Sequence, residues 1–449
     1  MTIPHFLVIP YPIQGMVNPF MQFSLVLAKH GCKITFVNTE FNHNRAQKTT
    51  SSDQDKFIGS QIKMVTLPDG LSPQDGRTDQ IKVLLSVKSS MPSQLHKLIQ
   101  HVNAVDLDNK INCIVVSINM GWALEVGCKL GIKGAVLFAS SATSMALCDS
   151  IQRLIDEGII ESQNGLPIKK QVQLSPNMAT MDTSNLPWCN LGENSKIYFD
   201  HLVQELQILK LGEWWLCNTI YDLEPGVFSL SQKLLPIGPI LASDNNTSSF
   251  WQEDATCLEW LDQQASQSVI YVSFGSLAVI EANQFKELAL GLDLLNMPFL
   301  WVVRSGNNNN ENHAYPDEFH GKKGKIVAWA PQKKILNHPA IACFISHCGW
   351  NSTIEGVCGV VPFLCWPFFS DQLLNKWYIC DVWKVGLGLD KDEIGVISRR
   401  EIQNKVEQLL GSEDIKAMSL KLKEMAINNV QEGGQSSENL KNFINWAKK

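Results

Sequence analysis

Residues 5–38, HFLVIPYPIQGMVNPFMQFSLVLAKHGCKITFVN, decide the fold. An apolar strand over 5–10 leads through a loop at Gly15 into a helix expected from about 20 to 30, and a second strand follows over 32–38. Phe20, Phe23 and Leu27 recur at helical spacing, Lys29 and His30 suit the last turn, and Gly31 is placed to cap it. This is a βαβ unit. Further pairs follow, strand 111–116 with helix 122–130 and strand 133–138 with helix 141–157. Uninterrupted apolar strands separated by helices are the pattern of a parallel sheet covered on both faces.

The pattern breaks at 234–251, LLPIGPILASDNNTSSFW, where two prolines and a polar run read as an interdomain link. It then restarts with a strand over 268–274, a helix over 284–295, strands over 299–303 and 341–346, and a helix over 352–358. The expected class is α/β with two Rossmann-like βαβ domains, 1–237 and 257–430, a linker at 238–256 and a C-terminal tail at 431–449. The asparagine-rich stretch 306–312 reads as a solvated loop without chemistry.

Composition narrows the function. The 449 residues carry a formal net charge of −6, which excludes a basic nucleic-acid-binding domain. With 45% hydrophobic and 18% charged residues, the chain has ample core material and lies far from disorder. The N-terminal apolar run is short and broken by prolines, unlike a secretory signal. The longest apolar run, 360–369, is half of a membrane span and contains Pro362 and Pro367. The 12 cysteines are scattered, mostly in apolar runs (Cys113, Cys343, Cys365, Cys380), as small core residues in a reducing compartment would be. A cytoplasmic monomer is the expectation, with the sequons at Asn245, Asn246 and Asn351 as chance matches.

In open α/β sheets ligands bind beyond the carboxyl ends of strands, where helix N-termini offer N–H groups to anions. Three loops qualify. The one at 14–19 has a single glycine, so it lacks the GxGxxG that brings backbone against a dinucleotide pyrophosphate. The loop at 273–276, SFGS, ends a strand in small residues able to face a phosphate. The third, His347-Cys348-Gly349-Trp350-Asn351-Ser352, sets a glycine turn, a histidine and an Asn/Ser pair before a helix, which suits a diphosphate. Ser352-Thr353-Ile354-Glu355 also reads as a capping box, which needs no ligand. Trp329 and Trp366 look exposed and suit either core packing or stacking on a base, and Asp371 and Gln372 suit either a surface turn or sugar hydroxyls.

Together these residues resemble the signature box of plant UDP-glycosyltransferases of specialised metabolism. In this chain residues 329–372 read WAPQKKILNHPAIACFISHCGWNSTIEGVCGVVPFLCWPFFSDQ, and PYPIQGMVNP, CLEWLDQQ and SFGS extend the similarity along essentially the whole chain. The resemblance implies two facing βαβ domains of the GT-B type with a donor cleft between them, and a C-terminal helix returning to the first domain. It implies UDP-glucose as donor co-substrate, a small-molecule acceptor, inversion and no metal. Trp329 would stack the uracil, Gln332 or its backbone would hold the base, and Glu355 would accept the ribose hydroxyls. His347, Trp350, Asn351, Ser352 and Ser276 would line the diphosphate site, and Asp371 and Gln372 would bind the sugar. Glutamine at the end of the box resembles members that prefer UDP-glucose.

The chain departs from the family in one place that matters. The family's catalytic histidine and its orienting aspartate fall on Met16 and Ser117 here. A thioether accepts no proton at neutral pH, and losing a general base costs about 10² to 10⁴ in rate. Val360 also stands where the family has glycine. Three readings follow: sugar transfer to an acidic acceptor or with another base, a repurposed cleft that cyclises or isomerises a small metabolite, and UDP-sugar binding without turnover. His43 and Asp182 are candidate substitute bases. Met120, Phe138, Met145, Met178 and Trp188 suggest an apolar acceptor pocket, though each singly fits ordinary core.

Overall fold

A computed structural model of the chain describes residues 3–47, 62–240, 253–304 and 315–449. The polar link at 241–252, with Asn245 and Asn246, and the asparagine-rich loop lie outside the described residues. The chain divides into two compact units, Met1–Trp251 with Asn428–Lys449, and Gln252–Ile427.

In the first unit the strands are β1 (His5–Ile9), β2 (Lys33–Thr39), β3 (Ile62–Leu67), β4 (Cys113–Val116), β5 (Lys133–Phe138), a short antiparallel pair β6 (Gln171–Val172) and β7 (Met181–Asp182), β8 (Trp214–Cys217) and β9 (Leu234–Pro236). Seven of them form one parallel sheet in the order β3-β2-β1-β4-β5-β8-β9. Apolar side chains on both faces explain the unbroken burial of β1 and β4. Helix Gln435–Lys448 completes the core. Its Leu440, Phe443, Ile444 and Ala447 recur at helical spacing and are buried, and the Phe443 ring lies 5.5 Å from Phe6 and 6.2 Å from Phe23.

The second unit holds β10 (Val269–Ser273), β11 (Phe299–Val302), β12 (Gly324–Val327), β13 (Ile341–Ser346), β14 (Phe363–Cys365) and β15 (Gly386–Gly388). They form a parallel sheet in the order β12-β11-β10-β13-β14-β15. In each sheet the winding reverses once, between β1 and β4 and between β10 and β13. The crevices at such reversals are where open sheets take ligands. The loops after β4, β10 and β13 carry Ser117, Ser276 and His347 in turn, and Met16 stands in the first turn of the helix that follows β1.

Four local expectations are corrected. The first helix begins at Gln14, not near 20, so Met16 sits in its first turn. Gly15 falls among the first N–H groups, which lack partners in any helix; Pro19 lies beyond them and forgoes one bond, and burial of Val17, Pro19 and Phe20 fixes the segment. The helix expected over 141–157 divides at Ser150 into Ala142–Asp149 and Ile151–Asp156. Ser352 is not an N-cap: the helix is Trp350–Gly359, its cap is Gly349, and no side chain caps it. Trp366 is buried, edge-on to Phe274 at 5.5 Å, and not exposed.

Val360 ends helix Trp350–Gly359 in the left-handed region, at φ 60° and ψ 35°. A β-branched residue there is strained by about 1–2 kcal/mol, which glycine avoids at some cost in chain entropy. Val360→Gly is therefore expected to raise stability by about 1 kcal/mol, read as a higher urea midpoint at unchanged slope.

Candidate active site

The second unit builds an anion cradle where β13 meets helix Trp350–Gly359. The first N–H groups of that helix point out past Gly349 with no side-chain cap. His347 stands beside them, its Nδ1 buried without a hydrogen-bond partner among the described residues. Burial pushes its imidazole down to about 4, so the ring is neutral at pH 7. Two glycines make room for it. A Cβ on Gly349 would lie 2.4 Å from His347 Nε2, and one on Gly275, which has φ +67°, would lie 2.7 Å away. Cys348 takes up the turn at φ 62°, held by its N–H to Ser346 Oγ at 3.1 Å and by Asn375 Nδ2, which donates to its carbonyl at 2.9 Å. Arg304 clamps the facing loop by donating to the carbonyls of Ser276 and Ala278.

Beyond the cradle lies a connected polar network. Gln332 Nε2 donates to Glu355 Oε2 and to Ser352 Oγ, both at 2.8 Å, while its Oε1 accepts from Tyr271 at 3.2 Å. The sequence that looks like a capping box thus serves a side-chain network, and the Gln332 amide is spent on positioning Glu355. Burial pushes the Glu355 carboxyl up to about 7, against the Gln332 amide and Lys333. Trp329 is half-buried. Trp350 is buried, 6.2 Å from Trp383, so it offers the site its backbone and not its ring. Burial likewise pushes Asp371 up to about 6, and Asn375 donates to its Oδ2 at 3.2 Å. Gln372 Oε1 accepts from the N–H groups of Phe368 and Phe369 at 2.8 and 3.2 Å, which turns its amide donors outward from that turn.

In the first unit Met16 is half-buried, its N–H donating to Ile13 at 3.0 Å. Ser117 is fully buried, and its Oγ accepts from the Tyr11 N–H at 2.6 Å, tying the end of β4 to the end of β1. Neither can take a proton from a hydroxyl. Asp182 caps a short 3-10 turn, and the Ser184 bonds hold its carboxyl below the usual range, so it is a weak base. His43 is half-buried on helix Glu40–Gln47. Phe138 packs edge-on to Trp215 at 6.0 Å, and Trp188 lies 5.9 Å from Phe199 with its indole N–H on the Gly165 carbonyl. Met120 and Met145 are equally buried, and Met178 is half-buried. What the sequence reading passed over is a second polar group at the end of β4, Asn119 with His201 and Glu205, whose only trace is two polar residues on the inner face of helix Ser195–Leu209.

Residues 196–428 match the family described as UDP-glucoronosyl and UDP-glucosyl transferase. The chain is 42% identical over 458 residues to UDP-glycosyltransferase 83A1 of Arabidopsis thaliana, covering 99% of this chain and 97% of that protein. The chain belongs to the UDP-glycosyltransferase family. The structure of Os79 from O. sativa in complex with UDP matches 98% of this UDP-glycosyltransferase and 100% of Os79 with a TM-score of 0.83 at 24% identity. A UDP-glucosyltransferase from Polygonum tinctorium capable of glucosylating indoxyl, solved with 3,4-dichloroaniline, matches over 100% of both chains with a TM-score of 0.83 at 26% identity. The fold is thus of the GT-B type, and the enzyme is a plant-type UDP-glycosyltransferase of small metabolites. No helix among the described residues is long and apolar enough to cross a membrane, and no group of three or more His, Cys, Asp or Glu residues there is placed to hold a metal ion.

The raised Glu355 has a consequence for this enzyme's stability. A carboxyl favoured in its protonated form by the fold contributes fully below pH about 4.5, and that contribution is lost as pH rises through about 7. Glu355→Gln keeps an acceptor for Gln332 and removes the loss. The stability difference in favour of the variant should open between pH 4.5 and 7 and stay flat above, in urea midpoints taken across pH.

Proposed function

We propose that this glycosyltransferase moves glucose from UDP-glucose to a phenolic or carboxylic oxygen of a small apolar metabolite, with inversion and without a metal. The single observation that carries the reading is the uncapped N-terminus of helix Trp350–Gly359 beside the unpartnered His347 Nδ1. Fixed N–H dipoles aimed at one place neutralise the charge that grows on a departing diphosphate, the work a metal does elsewhere. Trp329 stacks the uracil, Glu355 takes the ribose hydroxyls, Ser276, Asn351 and Ser352 join His347 on the diphosphate, and Asp371 with the Gln372 amide holds the glucose. The glucosylation named for the Polygonum tinctorium protein supports the choice of sugar.

On the acceptor side, Met16 and Ser117 occupy the places of the family's base and orienter, so the acceptor must bring its own acidity or find another base. The same pair of residues supports a second reading, a metabolite rearranged without sugar transfer. Incubation with UDP-glucose and a panel of phenols, carboxylic acids and alcohols, followed by UDP release and product mass, separates them. A glucose-sized gain on acids or phenols is expected. Conversion of a metabolite without added UDP-sugar would favour the second reading, and no gain on any acceptor would remove the first.

A further inference from the structure

Helix Ser195–Leu209 brings two titratable side chains one turn apart, His201 and Glu205, to the loop that leaves β4. Both are at least nine-tenths buried, at 9% and 1% exposure. Glu205 pins the loop by accepting the Gly121 N–H at 2.5 Å. His201 Nε2 meets Asn119 Oδ1 at 3.1 Å. Asn119 stands at φ 75°, a left-handed conformation that asparagine tolerates and that turns its amide toward the ring. An amide oxygen only accepts, so the ring proton sits on Nε2 and Nδ1 is left as an open acceptor. No hydrogen bond to Nδ1 occurs among the described residues. A base oriented through its other nitrogen by a fixed acceptor is the arrangement that proton-abstracting histidines share. Its partner Asn119 lies two residues past Ser117, on the loop that leaves β4 at the sheet reversal.

We propose that His201 Nδ1 receives the acceptor's proton in place of the base missing at position 16, and that the acceptor is accordingly a phenol or another acidic hydroxyl. The proposal rests on the glucosyl-transfer reading above. In the step, the acceptor O–H proton passes to Nδ1 as the oxygen bonds to the anomeric carbon. The bond from that carbon to the β-phosphate oxygen breaks, and UDP leaves with the electron pair. The imidazolium then releases its proton to water. The groups acting on His201 set its strength. Burial and the Lys88 ammonium of helix Gln80–Val105 push it down to about 4, Tyr198 lies alongside with its ring 6.4 Å away, and Glu205, itself raised by burial and by Glu125, sits one turn on. A base that weak removes protons usefully only from hydroxyls that are already acidic.

The test compares wild type with His201→Ala and His201→Gln on 2-naphthol and 2-naphthoate at saturating UDP-glucose. The carboxylate needs no base, so it reports every other effect of the substitution. On the naphthol, kcat is expected to fall by about 10² to 10⁴ with KM within about threefold, while kcat on the naphthoate stays within about threefold. Wild-type kcat on the naphthol should be flat from pH 6 to 8, since His201 is neutral throughout. In the variants it should climb about tenfold per pH unit, because the naphthol must then ionise by itself. Added imidazole should restore at least about a tenth of the loss in the alanine variant. Glutamine retains a donor for Asn119, so that variant decides the matter if the alanine one fails to fold. Equal losses on both acceptors, no loss on the naphthol, or an unaltered pH profile would each overturn the role of His201 while leaving glucosyl transfer standing. Wild type that transfers to neither acceptor would overturn both.

Discussion

Met16→His combined with Ser117→Asp is expected to raise kcat on unactivated alcohols by about 10² to 10⁴, the value of a positioned base. The structure accommodates both changes. Met16 occupies the first turn of helix Gln14–Lys29 and is half-buried, so an imidazole of similar length replaces the thioether without opening a cavity. Ser117 already accepts the Tyr11 N–H, a bond that one aspartate oxygen can keep. Either substitution alone should give little: a histidine without its orienter is free to turn, and a buried carboxylate without a partner carries its desolvation cost. Transfer to alcohols that stays at the wild-type rate while UDP affinity is unchanged would mean that the acceptor pocket, and not only the base, differs from the family's.

The second large effect is expected at Gly349. Alanine there places its Cβ 2.4 Å from His347 Nε2, against a ring already confined by Gly275. The ring must leave its place, and the helix N-terminus loses the partner with which it would hold a diphosphate. Two bonds to a charged group, at about 1.5 kcal/mol each or more, put the loss of UDP affinity near 10²-fold. Backbone strain adds nothing, because Gly349 has φ −62° and ψ 142°, which alanine adopts freely, so the stability cost is that of displacing the ring, about 1–3 kcal/mol. Unchanged affinity for UDP in Gly349→Ala would show that His347 does not serve the nucleotide.

The sequence announced both sheets because their strands are unbroken apolar runs and their helices keep a regular apolar spacing. It announced the donor loop because a glycine turn before a helix, with Asn and Ser after it, has few uses. What it hid has physical causes. Gly15 and Pro19 break helices on propensity alone, and only the burial of their neighbours shows that here they do not. Ser352 and Glu355 satisfy a capping box and a side-chain network with the same spacing, and only the position of Gln332, twenty residues earlier, decides between them. Trp366 reads as exposed because a proline follows it, yet it fills the second unit's core beside Phe274. His201 was invisible because a histidine on an amphipathic helix is usually structural; its bond to Asn119 spans 82 residues and exists only in the fold.

Titration calorimetry of the wild-type protein with UDP, run in buffer containing EDTA, reads directly whether the helix N-terminus at Gly349 holds the nucleotide without a metal. Saturable heat with one site per chain is expected, of undiminished affinity in the chelator and about 10²-fold weaker in Gly349→Ala. Absence of heat and of any shift in melting temperature, under conditions where a related glycosyltransferase responds, would contradict it.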